Sequence, residues 1–310
     1  MRPLLLLLLV SITACSSAVS PSRLPSASAE PTYTGLGLNA LHAYQATLEL
    51  RFEGDFQWAY HLTTRANGDV VEHRLHLEGV TGARNPGDVR VVMEGDTVKM
   101  RGSGTDGECW QFPRDLDLTP AFLTPDDLID PEGFEDPFVN LGAETIAGVE
   151  VAHYALSQAK LGDWRDVEVD LWLDVVTDAA LRYDLRAVGP DPLFGTDEGV
   201  LSGRFLVGEV GPQMIEPVEG CEIDLPLPPN ATRLTKLPGG LVTFESVSRP
   251  AEIVGFYQAE LPLAGWEAIA QPEGGAESIL LSYRRGGQRL EINVEMGGER
   301  AYVELFVGEE

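Results

Sequence analysis

Hydrophobic and polar residues alternate along much of the first two thirds of the chain. In the first such stretch Ala46, Leu48, Leu50 and Phe52 fall on one side, with polar residues between them. Successive side chains of a β-strand point to opposite faces, so this pattern predicts a strand covered on one face. The same pattern recurs in Phe56 to Leu62, Val71 to Leu77, Val89 to Met93, Val98 to Met100 and Trp110 to Phe112. The runs together predict an antiparallel sheet with one apolar face.

Helical signals interrupt the alternation twice. A short helical pattern over Leu36 to Tyr44 precedes the first strand. Later, Thr124 is followed by Pro125 and two acids, which is typical of a helix start. Strand patterns then resume in Val149 to Leu156, Val167 to Leu173, Leu181 to Val188 and Val200 to Val207.

The last part of the chain follows a different pattern. Leu241 to Glu245 predicts a strand, and a helix from Pro250 has an apolar stripe ending at Leu261. Four strands are predicted after it, and Gly-Gly pairs at 286–287 and 297–298 mark hairpin turns between the last three. The predicted order is β-α-β-β-β-β, a small α+β domain.

Composition changes between these two parts. Every Asp precedes Leu225, where a Pro-rich connector, 225–230, begins. Such a connector is stiff and marks a boundary between folded units. We therefore predict one domain over 35–224 and a second over 225–310.

The overall charge narrows the class of partners. The chain has 22 Lys and Arg against 49 Asp and Glu, a formal net charge of −27. A protein that binds a phosphate backbone needs a basic face, so no nucleic-acid partner is expected.

The N-terminal residues predict an export signal. Residues 1–14 have one basic residue and an apolar run too short to span a bilayer, as in a signal peptide. The run ends in Ile12-Thr13-Ala14-Cys15, which resembles the lipobox of bacterial lipoproteins. The resemblance implies cleavage before Cys15, acyl chains such as palmitate on that residue, and an extracytoplasmic protein anchored to the cell membrane. Ordinary secretion is the alternative. Residues 15–34, rich in Ser, Ala and Pro, predict a flexible tether.

Two cysteines remain once Cys15 is assigned to the lipid. Outside the cytoplasm Cys109 and Cys221 are expected to form a disulfide. Two unpaired buried thiols are the alternative.

The sequence offers little chemistry for catalysis. His73 and His76 are three apart in a predicted strand and point to opposite faces, so they do not predict a metal site. Nucleophile-elbow, zinc-protease, Walker and dinucleotide motifs do not occur. The acids between Asp126 and Asp136 read as a solvated segment, with a calcium site as the alternative. We expect no metal, no cofactor and no enzymatic activity.

Aromatic residues on the predicted strands are the candidate binding residues. An open sheet with few helices leaves an apolar concave face, which is the usual form of a ligand site. Ordinary core packing is the alternative. The candidates for lining this cavity are Phe56, Trp58, Tyr60, Leu62, Trp110, Phe112, Tyr154 and Trp172.

The order of these elements resembles the lipoprotein-localisation-factor (LolA/LolB-like) superfamily, with LppX/LprG-type bacterial lipoproteins as the nearest relatives. The resemblance rests on segments spread through the first domain and stops at Cys221. They are 38–44 leading into the first strand, 123–129, Gly142 to Val149 followed by His153-Tyr154, Val169 to Asp174 with Leu181-Arg182-Tyr183, and Ile215-Glu216-Pro217. It implies a curved antiparallel half-barrel with helices in its mouth that holds acyl chains or another apolar ligand.

The sequence therefore predicts a membrane-anchored envelope lipoprotein that binds a lipid or other apolar ligand in a half-barrel cavity. One alternative is a regulatory or sensory lipoprotein that acts through an envelope protein partner. Another is a structural module with a filled interior and no ligand.

Overall fold

The structure is a computed structural model, and it describes residues 36–80, 87–102, 107–116, 123–129, 138–146, 148–161, 163–195, 198–275 and 277–309. These residues belong to one compact unit. Residues 1–14 and the whole predicted tether, 15–34, lie outside the described residues, and so does Cys15.

Most of the described chain is strand. The strands are β1 (Ala43–Glu53), β2 (Gln57–Asn67), β3 (Val70–Glu78), β4 (Val89–Glu94), β5 (Thr97–Gly102), β6 (Cys109–Pro113), β7 (Val139–Ile146), β8 (Val149–Leu161), β9 (Trp164–Asp174), β10 (Ala180–Pro190), β11 (Glu198–Val210), β12 (Thr232–Leu237), β13 (Leu241–Ser246), β14 (Glu267–Ala268), β15 (Glu273–Gly274), β16 (Ser278–Arg285), β17 (Gln288–Gly297) and β18 (Arg300–Glu309). The helices are a 3₁₀ turn (Leu38–Ala40), α1 (Pro125–Leu128) and α2 (Pro250–Leu263). Among the described residues, none of these helices has the length and apolar character needed to cross a membrane.

The strands form an open, curved sheet whose described pairings are antiparallel. The larger part runs in the order β7-β8-β9-β10-β11-β1-β2-β3-β4-β5-β6. The predicted fold class, a mainly β chain with a curved antiparallel half-barrel, is confirmed. We call the face that carries Leu50, Tyr60 and Tyr183 the inner face, and the opposite face the outer face.

Two connections have to cross this sheet. β6 and β7 follow each other in the chain but lie at opposite ends of the strand order, so the chain between them traverses the sheet. Its described part, 123–129, lies on the inner face, where the Tyr60 hydroxyl donates to the Leu123 carbonyl. The segment after β11, residues 211–224, crosses the outer face in the same way, and we call it the strap.

The strap is fixed to the outer face by a disulfide and by hydrogen bonds. Cys109 on β6 and Cys221 on the strap are bridged, with their Cα atoms 5.1 Å apart, which confirms the predicted pairing. Closing a chain separation of 112 residues is worth about 4–5 kcal/mol on the chain-entropy model. Arg90 donates to the Pro217 carbonyl at 3.1 Å, and Lys236 donates to the Gly220 carbonyl at 2.7 Å.

The C-terminal part packs α2 against a meander of strands. Ile253, Tyr257 and Leu261 of the predicted stripe are buried, and Phe256 is partly buried. The Glu252 carboxylate accepts a hydrogen bond from the Arg249 N–H at the helix start. The helix core meets buried residues of the neighbouring strands, among them Phe244, Leu281, Leu290, Ile292, Val303 and Leu305.

Two local predictions need correction. The pattern over Leu36 to Tyr44 predicted a helix, but only the short 3₁₀ turn forms there, and Ala43 already begins β1. Tyr44 pairs with both β2 and β11, so sheet hydrogen bonding takes the place of a helix. The predicted C-terminal order has four strands after the helix, but the described residues form five, because two short strands, β14 and β15, pair with β16 where one strand over Trp266 to Ala270 was predicted. β12 also precedes the predicted order and joins β6 through one bridge, Lys236 opposite Gln111. The boundary at Leu225 stays a prediction.

The buried hydroxyl of Tyr257 generates a stability prediction. This side chain is fully buried in α2, and its hydroxyl has no hydrogen-bond partner among the described residues. A buried polar group without a partner costs about 1–3 kcal/mol. Tyr257→Phe should therefore raise the free energy of unfolding by about 1 kcal/mol in urea titration. Tyr183→Phe is the matched control and should lower it, because the Tyr183 hydroxyl donates to Pro125. A destabilised Tyr257→Phe chain would contradict the assignment.

Candidate functional site

The inner face is a continuous apolar surface across neighbouring strands. Leu50 of β1 lies opposite Tyr60 of β2, and Tyr183 of β10 lies opposite Phe205 of β11. These side chains are all buried. The alternation in the sequence produces this surface, because every second residue of each strand points to the same face.

The segment 123–129 covers the inner face and is held there by two tyrosine hydroxyls. The Tyr60 hydroxyl donates to the Leu123 carbonyl at 2.9 Å and accepts from the Leu123 N–H at 3.1 Å. The Tyr183 hydroxyl donates to the Pro125 carbonyl at 3.3 Å. We call the segment 123–129 the covering turn.

The covering turn is short but locally well formed. Asp127 accepts hydrogen bonds from the Thr124 N–H at 2.7 Å and from the Thr124 hydroxyl at 2.6 Å. Asp126 accepts one from the Leu36 N–H at 2.9 Å, which ties the turn to the start of the described chain. Ile129 at its end is fully buried.

The tyrosines beneath the turn are uncharged hydrogen-bond donors at neutral pH. Burial, together with the nearby charge of Asp126, raises the pKa of Tyr44 to about 12. Burial likewise raises the pKa values of Tyr60 and Tyr183 well above that of a free phenol. An ionised phenol could not donate to the turn, so the Tyr60 and Tyr183 hydroxyls remain donors well above neutral pH.

A cavity of about 230 Å³ lies between the covering turn and the sheet. Its lining is apolar except for Asp127, and it consists of Leu123, Asp127, Leu128, Trp164, Val167, Leu185, Ala187, Pro192 and Leu201. Trp164 reaches the cavity because Gly189 on β10 has no side chain that would block it. A Cβ atom added at Gly189 would lie only 2.7 Å from Trp164 Cε3. The arrangement can accept an apolar group and has one carboxylate at its side.

Six of the eight predicted cavity residues lie on the inner face. Trp58, Tyr60, Leu62 and Phe112 are buried there, while Trp110 and Tyr154 are half-buried. Trp58 stacks on Phe52, with ring centroids 5.7 Å apart, and its indole N–H donates to Asp191 at 3.0 Å. Among the described residues that line the 230 Å³ cavity, none belongs to the predicted set.

The placement of the other two candidates is corrected by the structure. Phe56 precedes β2 and packs edge-on against Phe194, with ring centroids 5.8 Å apart. Trp172 lies on the outer face opposite Arg182, because Val169 and Leu171 occupy the inner phase of β9. There it stacks on His153, with ring centroids 4.2 Å apart, and contacts the Arg182 guanidinium.

Sequence reasoning missed the residues that do line the cavity. Leu185 and Ala187 follow the inner phase of β10, and Val167 follows that of β9. The alternation of these residues is visible in the sequence. The sequence does not show which part of the inner face the covering turn leaves open, because long-range contacts determine where the turn lies. The described residues hold no group of His, Cys, Asp or Glu arranged to bind a metal.

One segment in the C-terminal part of the chain is similar to a known protein family. Residues 231–300 match a START domain-like family, which covers less than a quarter of the chain and lies in the C-terminal part. No curated protein matches the chain. Among solved structures, a DUF1329 family protein from Desulfovibrio piger is 8% identical, over 56% of this chain and 90% of that chain. Its TM-score of 0.24 is too low to support a conclusion about this chain.

The inner-face histidine generates a pH prediction. His73 on β3 lies 2.9 Å from the Thr64 hydroxyl, and burial, with the charge of Arg114, lowers its pKa from 6.5 to about 4. The unfolded chain therefore binds this proton more readily, so stability present above pH 6.5 is lost as the pH falls toward 4. We expect the free energy of unfolding to drop by about 2 kcal/mol between pH 7 and pH 5 from this residue.

Urea titrations at the two pH values test this prediction. His73→Gln should remove most of that drop, whereas His42→Gln, at an exposed position, should keep it. An unchanged pH dependence in His73→Gln would show that other groups are responsible.

Proposed function

We propose that this protein is an envelope lipoprotein, anchored to the membrane through acylated Cys15, that binds an apolar ligand between the inner face and the covering turn. The observation that carries the proposal is the apolar cavity beneath a turn fastened by two uncharged phenols. The ligand class is an acyl chain or an apolar group of similar width.

The size of the cavity determines how such a ligand binds. Pockets for small molecules usually measure about 300–1,000 Å³. The closed cavity, at about 230 Å³, is smaller and accepts a short apolar group or one end of a chain. A longer ligand requires the covering turn to lift away from Tyr60 and Tyr183.

Lifting the turn has a moderate free-energy cost. Each neutral hydrogen bond to Tyr60 and Tyr183 is worth about 1 kcal/mol net, and exposing a buried Ile129 costs about 1.5–3 kcal/mol. A ligand can offset these losses, because burying its own apolar surface contributes about 25 cal/mol per Å². The turn is therefore suited to open only when an apolar ligand replaces its contacts.

Two similarities support the proposal. The first part of the chain resembles the LolA/LolB-like superfamily, which holds apolar ligands inside a half-barrel. The START domain-like match over 231–300 is a similarity to a lipid-binding kind of fold, in the other part of the chain. Binding is assigned to the first part because the apolar cavity lies there.

Filling the cavity tests the ligand site. Ala187 is buried in the cavity lining, and Ala187→Leu places an isobutyl group into the open volume. Affinity for an uncharged naphthylamine probe, measured by fluorescence titration, should fall by about tenfold or more, a loss of at least 1.4 kcal/mol. Ala59→Leu, on the outer face of β2, is the matched control and should bind the probe like the unaltered chain. If the unaltered chain does not bind the probe, the interior is a packed structural core or serves a regulatory protein contact.

Replacing the proposed lipid site tests the anchor. Cys15→Ser should leave the chain unacylated and, once its signal peptide is cleaved, move it from the membrane fraction to the soluble fraction. Ser17→Ala, a neighbouring change that keeps the cysteine, should remain in the membrane fraction. Detection of a Cys15→Ser chain that has lost its signal peptide yet still sediments with membranes at high salt would refute the anchor.

A further inference from the structure

Three arginines form a row across the outer face. Arg74 of β3 lies directly opposite Arg90 of β4, and Arg90 lies directly opposite Arg101 of β5. Like charges in directly opposite positions destabilise a sheet. This concentration of positive charge occurs in a chain whose formal net charge is −27.

A buried carboxylate compensates part of the row. Glu72, 1% exposed, accepts hydrogen bonds from Arg90 Nε at 2.6 Å and from Arg74 at 3.0 Å, and Arg65 lies 3.4 Å away. Although burial raises the pKa of Glu72, the hydrogen bonds from Arg90 and Arg74 outweigh it and lower that pKa. The Glu72 carboxylate thus faces the guanidinium groups of Arg65, Arg74 and Arg90. Arg101, the third arginine of the row, has no ion pair among the described residues.

The row lines an open groove of about 710 Å³ between β2–β5 and the strap. Arg90 holds the strap wall in place through the Pro217 carbonyl. His61 and His76, which face each other across β2 and β3, lie beside the row, and Asp88 is hydrogen-bonded to His76 at 2.6 Å. Glu216 and Glu219 belong to the strap side of the groove.

We propose that this groove binds a phosphate group, with Arg74 and Arg101 as its ligands and Arg90 as a positioning residue. Arginine presents a planar fork of N–H donors that matches phosphate oxygens, and Arg74 uses few of its donors on Glu72. A phosphate monoester carries about −1.5 to −2 charges at neutral pH, so it can pair with Arg74 and Arg101 together, although Asp88, Glu216 and Glu219 also line the groove. A single carboxylate carries less charge and would bind these two arginines more weakly.

The site is independent of the apolar cavity, because the two lie on opposite faces of the sheet. The phosphate has two sources with the same chemistry, the headgroup of an acidic lipid and a free phosphate ion or ester. Both present a terminal phosphate to the arginines. The groove is open to solvent, so either can enter without movement of the strap.

Calorimetric titration of the full chain at low salt tests the proposal. The probes are inorganic phosphate, the soluble lipid dihexanoyl phosphatidic acid, and dihexanoyl phosphatidylcholine as the probe without a terminal phosphate. Arg101→Gln is the informative variant, because no described contact in the fold depends on Arg101. Arg51→Gln, an exposed arginine on β1, is the matched control.

We expect the unaltered chain and Arg51→Gln to bind a terminal phosphate, and Arg101→Gln to bind it about tenfold or more weakly. Equal affinity for inorganic phosphate and phosphatidic acid indicates a free phosphate, whereas preference for phosphatidic acid indicates a lipid headgroup. The proposal is overturned if neither phosphate probe binds, or if Arg101→Gln binds like the unaltered chain. It is also overturned if Arg101→Gln loses no more affinity for phosphatidic acid than for phosphatidylcholine, since the acyl chains would then determine the affinity.

Discussion

A sheet that is apolar on one face is stable in water only when another part of the chain covers that face. Here the described cover, residues 123–129, belongs to the connection between β6 and β7, two strands that follow each other in the chain but lie at opposite ends of the strand order. The sheet hydrogen bonds fix where both strands end, and residues 123–129 lie on the inner face between those ends. Tyr60 and Tyr183 fasten it there through its backbone.

Each face of the sheet is crossed by a different segment of the chain, and the space that each segment leaves open has a different lining. The strap crosses the outer face after β11 and is held by the Cys109–Cys221 bridge and by Arg90. Between the strap and the strands remains a groove lined by arginines, whereas the covering turn leaves a small apolar cavity on the inner face. One sheet thus presents an apolar cavity and a groove with a row of arginines on opposite faces.

The local pattern of the sequence predicted the sheet well, because burial on one face imposes a period of two. The buried residues of β1, from Ala46 to Phe52, follow that period. The prediction that Trp172 lines the cavity was wrong, because it rested on the aromatic side chain alone. Val167, Val169, Leu171 and Leu173 already occupy the inner phase of β9, so their alternation places Trp172 on the outer face. The phase of the alternation, and not the aromatic character of the residue, determines which face it occupies.

The site was predictable only in part. The alternation of apolar and polar residues predicts which face of the sheet is apolar. The cysteine count and the expected compartment predict the disulfide. The cavity depends on where residues 123–129 come to rest, which is set by Tyr60 and Tyr183, side chains far away in sequence. The helix expected near Leu36 failed for a related reason, since pairing of β1 with two neighbours outweighed a weak helical pattern.

The proposed function requires that the inner face holds an apolar ligand beneath the covering turn. Mass spectrometry of organic extracts of the full chain, purified from bacterial membranes, would detect such a ligand. Molecules attached covalently are separated first, so that only non-covalently bound ones are counted. We expect a defined apolar molecule that co-purifies in constant proportion to the protein. Extracts that contain no such molecule, or only a proportional sample of the surrounding membrane lipids, would contradict it.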